Sequence, residues 1–165
     1  MHIEVLEDGI DIDTILTEAN NIKLALKTGW SSVSQIGLQA TERNQNPLKE
    51  YKNSIGRLKN LDFPETYFKH PIWDTPTINR YIEKYGLFRT RIMVSSPKSC
   101  LTRHADLSKR IHIPLFTNED CFMVIEDKTY FLEPGKIYLT NTTKKHTAVN
   151  ASLKFRGHIV GCVYE

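Results

Sequence analysis

The sequence predicts a mainly β protein with helices gathered toward its N-terminus, an α+β chain whose strands close into a sandwich or barrel. Two observations carry this. Helix-like segments with polar connectors give way near Gly86 to apolar and β-branched runs, and turn residues cut those runs at close spacing, which argues against alternating β and α units. A length of 165 residues suits one domain with one sizeable core. The expected organisation is therefore a single domain, with residues 1–86 as a mostly helical bracing or lid region and residues 87–165 as the β core.

In chain order, "IDIDTILTEANNIKLALK" (residues 10–27) places Asp or Thr before a periodic apolar run and reads as a helix. Residues 41–59 are polar and weakly periodic, either a solvated helix or a mobile loop. "DTPTINRYIEKYG" (74–86) has an Asp/Thr cap, Pro76 in the first turn, Ile78, Tyr81 and Ile82 at helical spacing, and Gly86 as its stop. From Leu87 onward the strands are expected around "FRTRIMVSS", "CLTRHA", "RIHIPLF", "CFMVIED", "KTYFL", "KIYLTN", "HTAVNA" and "KFRGHIVGCV", with a Pro-Gly turn at "EPGK".

Composition narrows the function classes. No run approaches the roughly 20 apolar residues of a membrane span, so a membrane protein is not expected. The N-terminal "MHIEVLEDGIDIDT" lacks the basic start and apolar run of a signal peptide. Cys100, Cys121 and Cys162 are odd in number and show no C-x-x-C spacing, which points away from a disulfide framework or zinc ribbon and toward a cytoplasmic protein. Net charge is +3 with Lys and Arg dispersed, so nucleic-acid binding is not indicated.

The residues that carry chemistry lie in the β half. On a strand, His104 and Asp106 leave the same face, where they are either a surface polar pair or two ligands of one metal ion. His146, in "TTKKHTAVN", is the candidate third ligand. Two His and one carboxylate leave three octahedral positions open, the facial triad of non-haem Fe(II) oxygenases. Ten residues on, Lys154, Arg156, His158 and Val160 share one face of the last strand. An Arg inside a barrel is costly unless it meets an anion, and the distal carboxylate of an iron-chelating 2-oxo-acid would suit its fork; the alternative is solvent, Glu126 or Asp127. On "RIHIPLF", Arg110, His112 and Pro114 face opposite to Ile111, Ile113 and Leu115, so His112 is either structural or a hydrogen-bond donor to the same carboxylate.

The segments "RTRIMVSSPKSCLTRHAD", "RIHIPL", "EPGKIYLTNTTKKHTAVN" and "RGHIVG" together resemble, in order and spacing, the aspartyl/asparaginyl β-hydroxylase family, which includes bacterial free-proline cis-hydroxylases. The resemblance runs from about Phe88 to Val163. It implies a double-stranded β-helix (jelly roll, cupin-like) barrel and a dioxygenase that uses Fe(II), 2-oxoglutarate and O2 to hydroxylate an unactivated carbon. It implies His104, Asp106 and His146 as iron ligands, and Arg156, assisted by His112, as the 2-oxoglutarate site. Asp106 stands where the animal aspartyl hydroxylases look to have Gly. Arg91 in "TRIMVS" and His158 in "RGH" look closer to the proline cis-hydroxylases, which implies a substrate carboxylate on Arg91 and a pocket lined by His158; a surface-strand Arg is the competing reading of Arg91. Substrates left open are an amino acid, a peptide residue or a small metabolite. Rival readings are a cupin-like metal and 2-oxo-acid sensor without turnover, and a peptide- or nucleic-acid-binding protein with an incidental triad.

Overall fold

The computed structural model describes residues 1–58 and 64–164. In chain order its elements are β1 (Ile3–Asp8), α1 (Ile12–Ala25), β2 (Gln35–Gly37), β3 (Gln39–Ala40), α2 (Pro47–Glu50), β4 (His70–Pro71), α3 (Pro76–Lys84), β5 (Phe88–Ser95), β6 (Ser99–Cys100), β7 (Lys109–Phe116), β8 (Cys121–Ile125), β9 (Lys128–Tyr130), β10 (Lys136–Thr140), β11 (His146–Asn150) and β12 (Arg156–Val163). All pairings are antiparallel. Six strands form one sheet in the order β1-β10-β7-β12-β5-β2, four form a second in the order β6-β11-β8-β9, and β3 pairs with β4.

The period-2 alternation of the long strands decides which face is which. Ile36, Ile92, Ile159 and Ile113 sit at paired positions across β2, β5, β12 and β7, and each is at most 1% exposed. This row faces α1 and α3, which cover it with Ile15, Ala19 and Ile22 from one helix and Ile78, Tyr81 and Ile82 from the other. Full burial of each such side chain contributes about 1.5–3 kcal/mol. The opposite face of the same sheet looks toward the second sheet, and there the strands carry polar residues instead.

The helices begin where the sequence places them, with one difference in how α3 is capped. The Asp11 side chain accepts hydrogen bonds from the Thr14 N–H and hydroxyl at the start of α1. At α3, Thr75 makes no capping hydrogen bond. The buried Glu18 of α1 accepts from the Thr77 and Ile78 N–H groups at 3.0 and 2.9 Å, so the two helices are docked by the same contact that satisfies the first amides of α3. Residues 41–58 resolve into the one-turn α2, capped by Asn46, followed by turns; Lys59 lies outside the described residues.

Two expectations are corrected. Residues 1–86 are not simply helical: β1 and β2 are the edge strands of the six-stranded sheet, and β3 and β4 form a small ribbon. The strand expected over residues 100–105 shrinks to the two residues of β6, and His104 reaches the sheet only through an isolated bridge to His146. No described helix is long and apolar enough to cross a membrane.

Candidate active site

His104, Asp106 and His146 come together although only His146 stands in a strand. The His104 and His146 backbones exchange two hydrogen bonds, 3.0 and 2.8 Å, and the Asp106 N–H donates to the Thr142 carbonyl at 2.8 Å. This cross-link does the work that a shared strand face was expected to do. The candidate ligand atoms all lie within 4.8 Å of one another. His104 Nδ1 is 2.6 Å from the Thr102 carbonyl and His146 Nδ1 is 2.9 Å from the Lys144 carbonyl. A carbonyl can only accept, so Nδ1 donates in both rings, which leaves each Nε2 as the nitrogen available to a metal ion. Both Nε2 atoms point at Asp106, 3.5 Å from Oδ1 and Oδ2 respectively. Two imidazole nitrogens and a carboxylate converging on one point fit a divalent first-row metal ion.

The facing wall is made by β5, β12 and β7. Register places Arg91 beside Val160, His158 beside Met93, and Val160 beside His112. The side chains of Arg91, Arg156, His112 and His158 are all at most 7% exposed. Arg156 therefore points inside, away from solvent, and its neighbour is His158 Nδ1 at 2.7 Å rather than Glu126 or Asp127. Burial lowers the Arg156 pKa to about 10, still charged at neutral pH. Arg91 is likewise lowered to about 10 by burial and by Arg89. It donates to Gln35 Oε1 at 3.1 Å, and its Nε has no hydrogen-bond partner.

The two histidines are held neutral. Burial, followed by the charge of Arg156, pushes both His112 and His158 well below the ordinary imidazole range. Arg156 can only donate, so His158 Nδ1 accepts and its proton resides on Nε2, which is buried without a partner. His112 Nδ1 lies 3.1 Å from the same His158 nitrogen, so in this arrangement His112 donates there and only its Nε2 is free. A hydrogen bond from His112 to a carboxylate requires the proton on that Nε2.

Three residues to which the sequence reading gave no role complete the site. Glu65, 7% exposed, accepts from Arg89 at 3.1 Å, Arg110 at 3.0 Å, the Cys162 thiol at 2.9 Å and the Tyr164 hydroxyl at 2.9 Å. Burial works to raise its pKa, but Arg110 and these donors outweigh it and hold the carboxyl at about 2. Arg110 also places Nε 3.5 Å from Asp106 Oδ2, so Glu65 anchors the guanidinium that touches the ligand carboxylate. Arg89 has φ +48, in the left-handed region, opposite the register shift between Val160 and Cys162. The shift is a bulge that aims its side chain into the cavity, where it also donates to the Ser54 and Gly56 carbonyls. Arg110 was legible as sharing the His112 face; Glu65 and Arg89 carried no local signal.

One cavity of about 410 Å³ brings the two walls together: His104, Asp106 and His146 line it with Arg91, Arg156 and His112. His158 lies behind it, touching Arg156 and His112. A larger cleft of about 730 Å³ lies between β4 and α3, away from these groups, and holds none of the metal-ligand cluster.

A sheet-lined cavity with a His/Asp/His cluster facing a buried Arg defines a cupin-like, double-stranded β-helix protein with a candidate metal centre. The chain belongs to the aspartyl/asparaginyl β-hydroxylase family, whose model matches residues 13–163. It is similar in fold to the viral collagen prolyl hydroxylase of Paramecium Bursaria Chlorella virus-1, solved as a 2OG complex, with TM-score 0.53, 8% identity, and coverage of 99% of this chain and 97% of that one. It is similar to AviO1 from Streptomyces viridochromogenes, with TM-score 0.53, 10% identity, and coverage of 97% and 88%. Against the plu4264 protein of Photorhabdus luminescens the match has TM-score 0.41 and 13% identity over 46% of this chain, and spans 62% of that protein, less than two thirds of its length. None of the curated proteins compared with the chain matches it significantly.

Proposed function

We propose that the protein is an Fe(II)- and 2-oxoglutarate-dependent oxygenase that hydroxylates an unactivated carbon and releases succinate and CO2. The observation that carries this reading is the shared cavity, in which a two-His, one-carboxylate cluster faces a buried arginine fork. Membership of the family and the fold shared with a prolyl hydroxylase support it.

His104, Asp106 and His146 would hold the iron, which when bound supplies the activation of O2 that side chains cannot. Their contribution is geometry: the carbonyls of Thr102 and Lys144 fix both imidazoles, and Arg110 restrains the carboxylate. Arg156 binds the distal carboxylate of 2-oxoglutarate through charge-assisted hydrogen bonds, with the neutral His112 beside it. Arg91 serves the substrate through its unpartnered Nε, while His158, behind the cavity rather than lining it, acts through its contacts with Arg156 and His112. The apolar walls at Met93, Met123 and Val160 limit water around the reacting groups. Residues 1–86 act with the β core as one domain, because β1 and β2 complete its main sheet.

The test is turnover. Purified protein given Fe(II), 2-oxoglutarate and air is expected to form succinate, slowly without substrate, and to lose this in the Asp106→Ala variant. Iron and 2-oxoglutarate binding with no succinate, whatever substrate is added, would overturn the enzyme reading in favour of a sensor.

A further inference from the structure

The charges around the cavity do not balance, and the imbalance is informative about what enters it. Five arginines line the cavity, Arg57, Arg89, Arg91, Arg110 and Arg156, while Asp106 is the only carboxylate among the described lining residues. Arg89 and Arg110 share the single charge of Glu65. Asp106 is committed to the metal cluster and to Arg110. Arg156 is the cosubstrate's. That leaves Arg91, 6% exposed, and Arg57, exposed at the mouth, with no carboxylate contact among the described residues.

A buried guanidinium without an anion is costly, and the cost persists only where a ligand relieves it. Arg91 shows this cost directly: its Nε is buried with no acceptor. The converse matters equally. An ammonium group in this cavity would find no free carboxylate among the described residues and would sit among arginines, an arrangement that disfavours it by like-charge repulsion.

Resting on the oxygenase reading above, we propose that the substrate is a small molecule bearing two or more anionic groups and no cationic centre, engaged by Arg91 and Arg57 in the cavity that holds the metal cluster. Carboxylate and phosphate groups share the chemistry that such a pair of forks recognises. This narrows the substrate class away from free amino acids, whose ammonium the cavity does not serve.

The test uses anaerobic Fe(II)-loaded protein saturated with 2-oxoglutarate, whose visible charge-transfer band is recorded first. Isovalerate, methylsuccinate, tricarballylate, 3-phosphoglycerate, L-proline and L-aspartate are then titrated calorimetrically. Affinity is expected to rise at least tenfold from one anionic group to three, to weaken with added salt, and to be at least tenfold poorer for L-aspartate than for methylsuccinate. Whether tricarballylate or 3-phosphoglycerate binds better tells which anion the site prefers; either order supports the proposal. Arg91→Gln, and separately the exposed Arg57→Gln, are expected to weaken tricarballylate at least tenfold while leaving the 2-oxoglutarate band intact. A flat response across the series, whether all probes bind or none, or zwitterions binding as well as the dianions, would overturn the proposal and leave the oxygenase reading standing. Absence of the band before any probe is added would overturn both.

Discussion

On one wall of the cavity Arg91, Arg156, His112 and His158 stand on three adjacent eight-residue strands, fixed by register and buried; on the other, two of the three candidate metal ligands hang from a loop and His104 is exposed. The basic wall is preformed at an electrostatic cost, visible in two arginines with lowered pKa and two orphaned buried nitrogens. The metal wall bears little of that cost, because its carboxylate, only partly buried, is paired with Arg110. The difference teaches that the first wall is held in place by burial and strand register and the second by hydrogen bonds from a loop.

The largest expected effect falls on the metal wall. His146→Ala removes the one ligand anchored in a strand, and metal affinity measured by Co(II) titration is expected to fall by more than about 100-fold, beyond the usual effect of losing only an outer partner. Retained affinity would mean the cluster is a polar pair and not a metal centre.

Next comes the Glu65 anchor. Glu65→Ala leaves Arg89 and Arg110 buried without their counter-ion and is expected to cost about 3–5 kcal/mol in denaturant unfolding. Its pH dependence follows from the folded-state pKa of about 2 against an ordinary 4.5. The carboxyl is lowered on folding, so its contribution is fully present above about pH 4.5 and is lost as pH falls toward 2, about 3 kcal/mol across that window. Glu65→Gln is expected to lack this acid-labile component; an unchanged pH profile would show that other carboxylates carry it.

Arg156→Met separates the two walls most sharply. Affinity for 2-oxoglutarate is expected to fall by roughly 1.5–3 kcal/mol, the value of a charge-assisted hydrogen bond. The ligand-free protein, relieved of a buried unpaired charge, is expected to unfold no more readily than the parent. A large loss of ligand-free stability would contradict the idea that this wall is held under electrostatic cost.

The smallest effect tests the scaffold behind the basic wall. A Cβ on Gly157 would lie 2.4 Å from the Phe116 ring, itself packed at a tilt against Trp30, so Gly157→Ala is expected to cost about 1–3 kcal/mol by overpacking without changing metal affinity.

How much of this was legible follows from where each signal lives. The alternation along Arg156, Gly157, His158 and Ile159 needs only a period of two, and β12 obeys it: Arg156 and Val160 line the cavity while Ile159 joins the core. The two-residue spacing of His104 and Asp106 singled out two residues that lie together, but for a reason that does not hold, since a hydrogen-bonded bridge and not a strand face aligns them. β1 and β2 were invisible because edge strands need no full alternation and β2 has three residues. Glu65 is 45 residues from Arg110 and lies in a short turn, so nothing local marks it; only the tertiary structure brings the two together.

On the proposed function, the two walls bind one chelating oxo-acid between them. The most direct measurement of this is the anaerobic visible spectrum of Fe(II)-loaded protein titrated with 2-oxoglutarate. A charge-transfer band is expected that saturates at one equivalent, disappears in His146→Ala, and needs at least tenfold more 2-oxoglutarate in Arg156→Met. No band in the parent protein, or a band indifferent to Arg156, would contradict it.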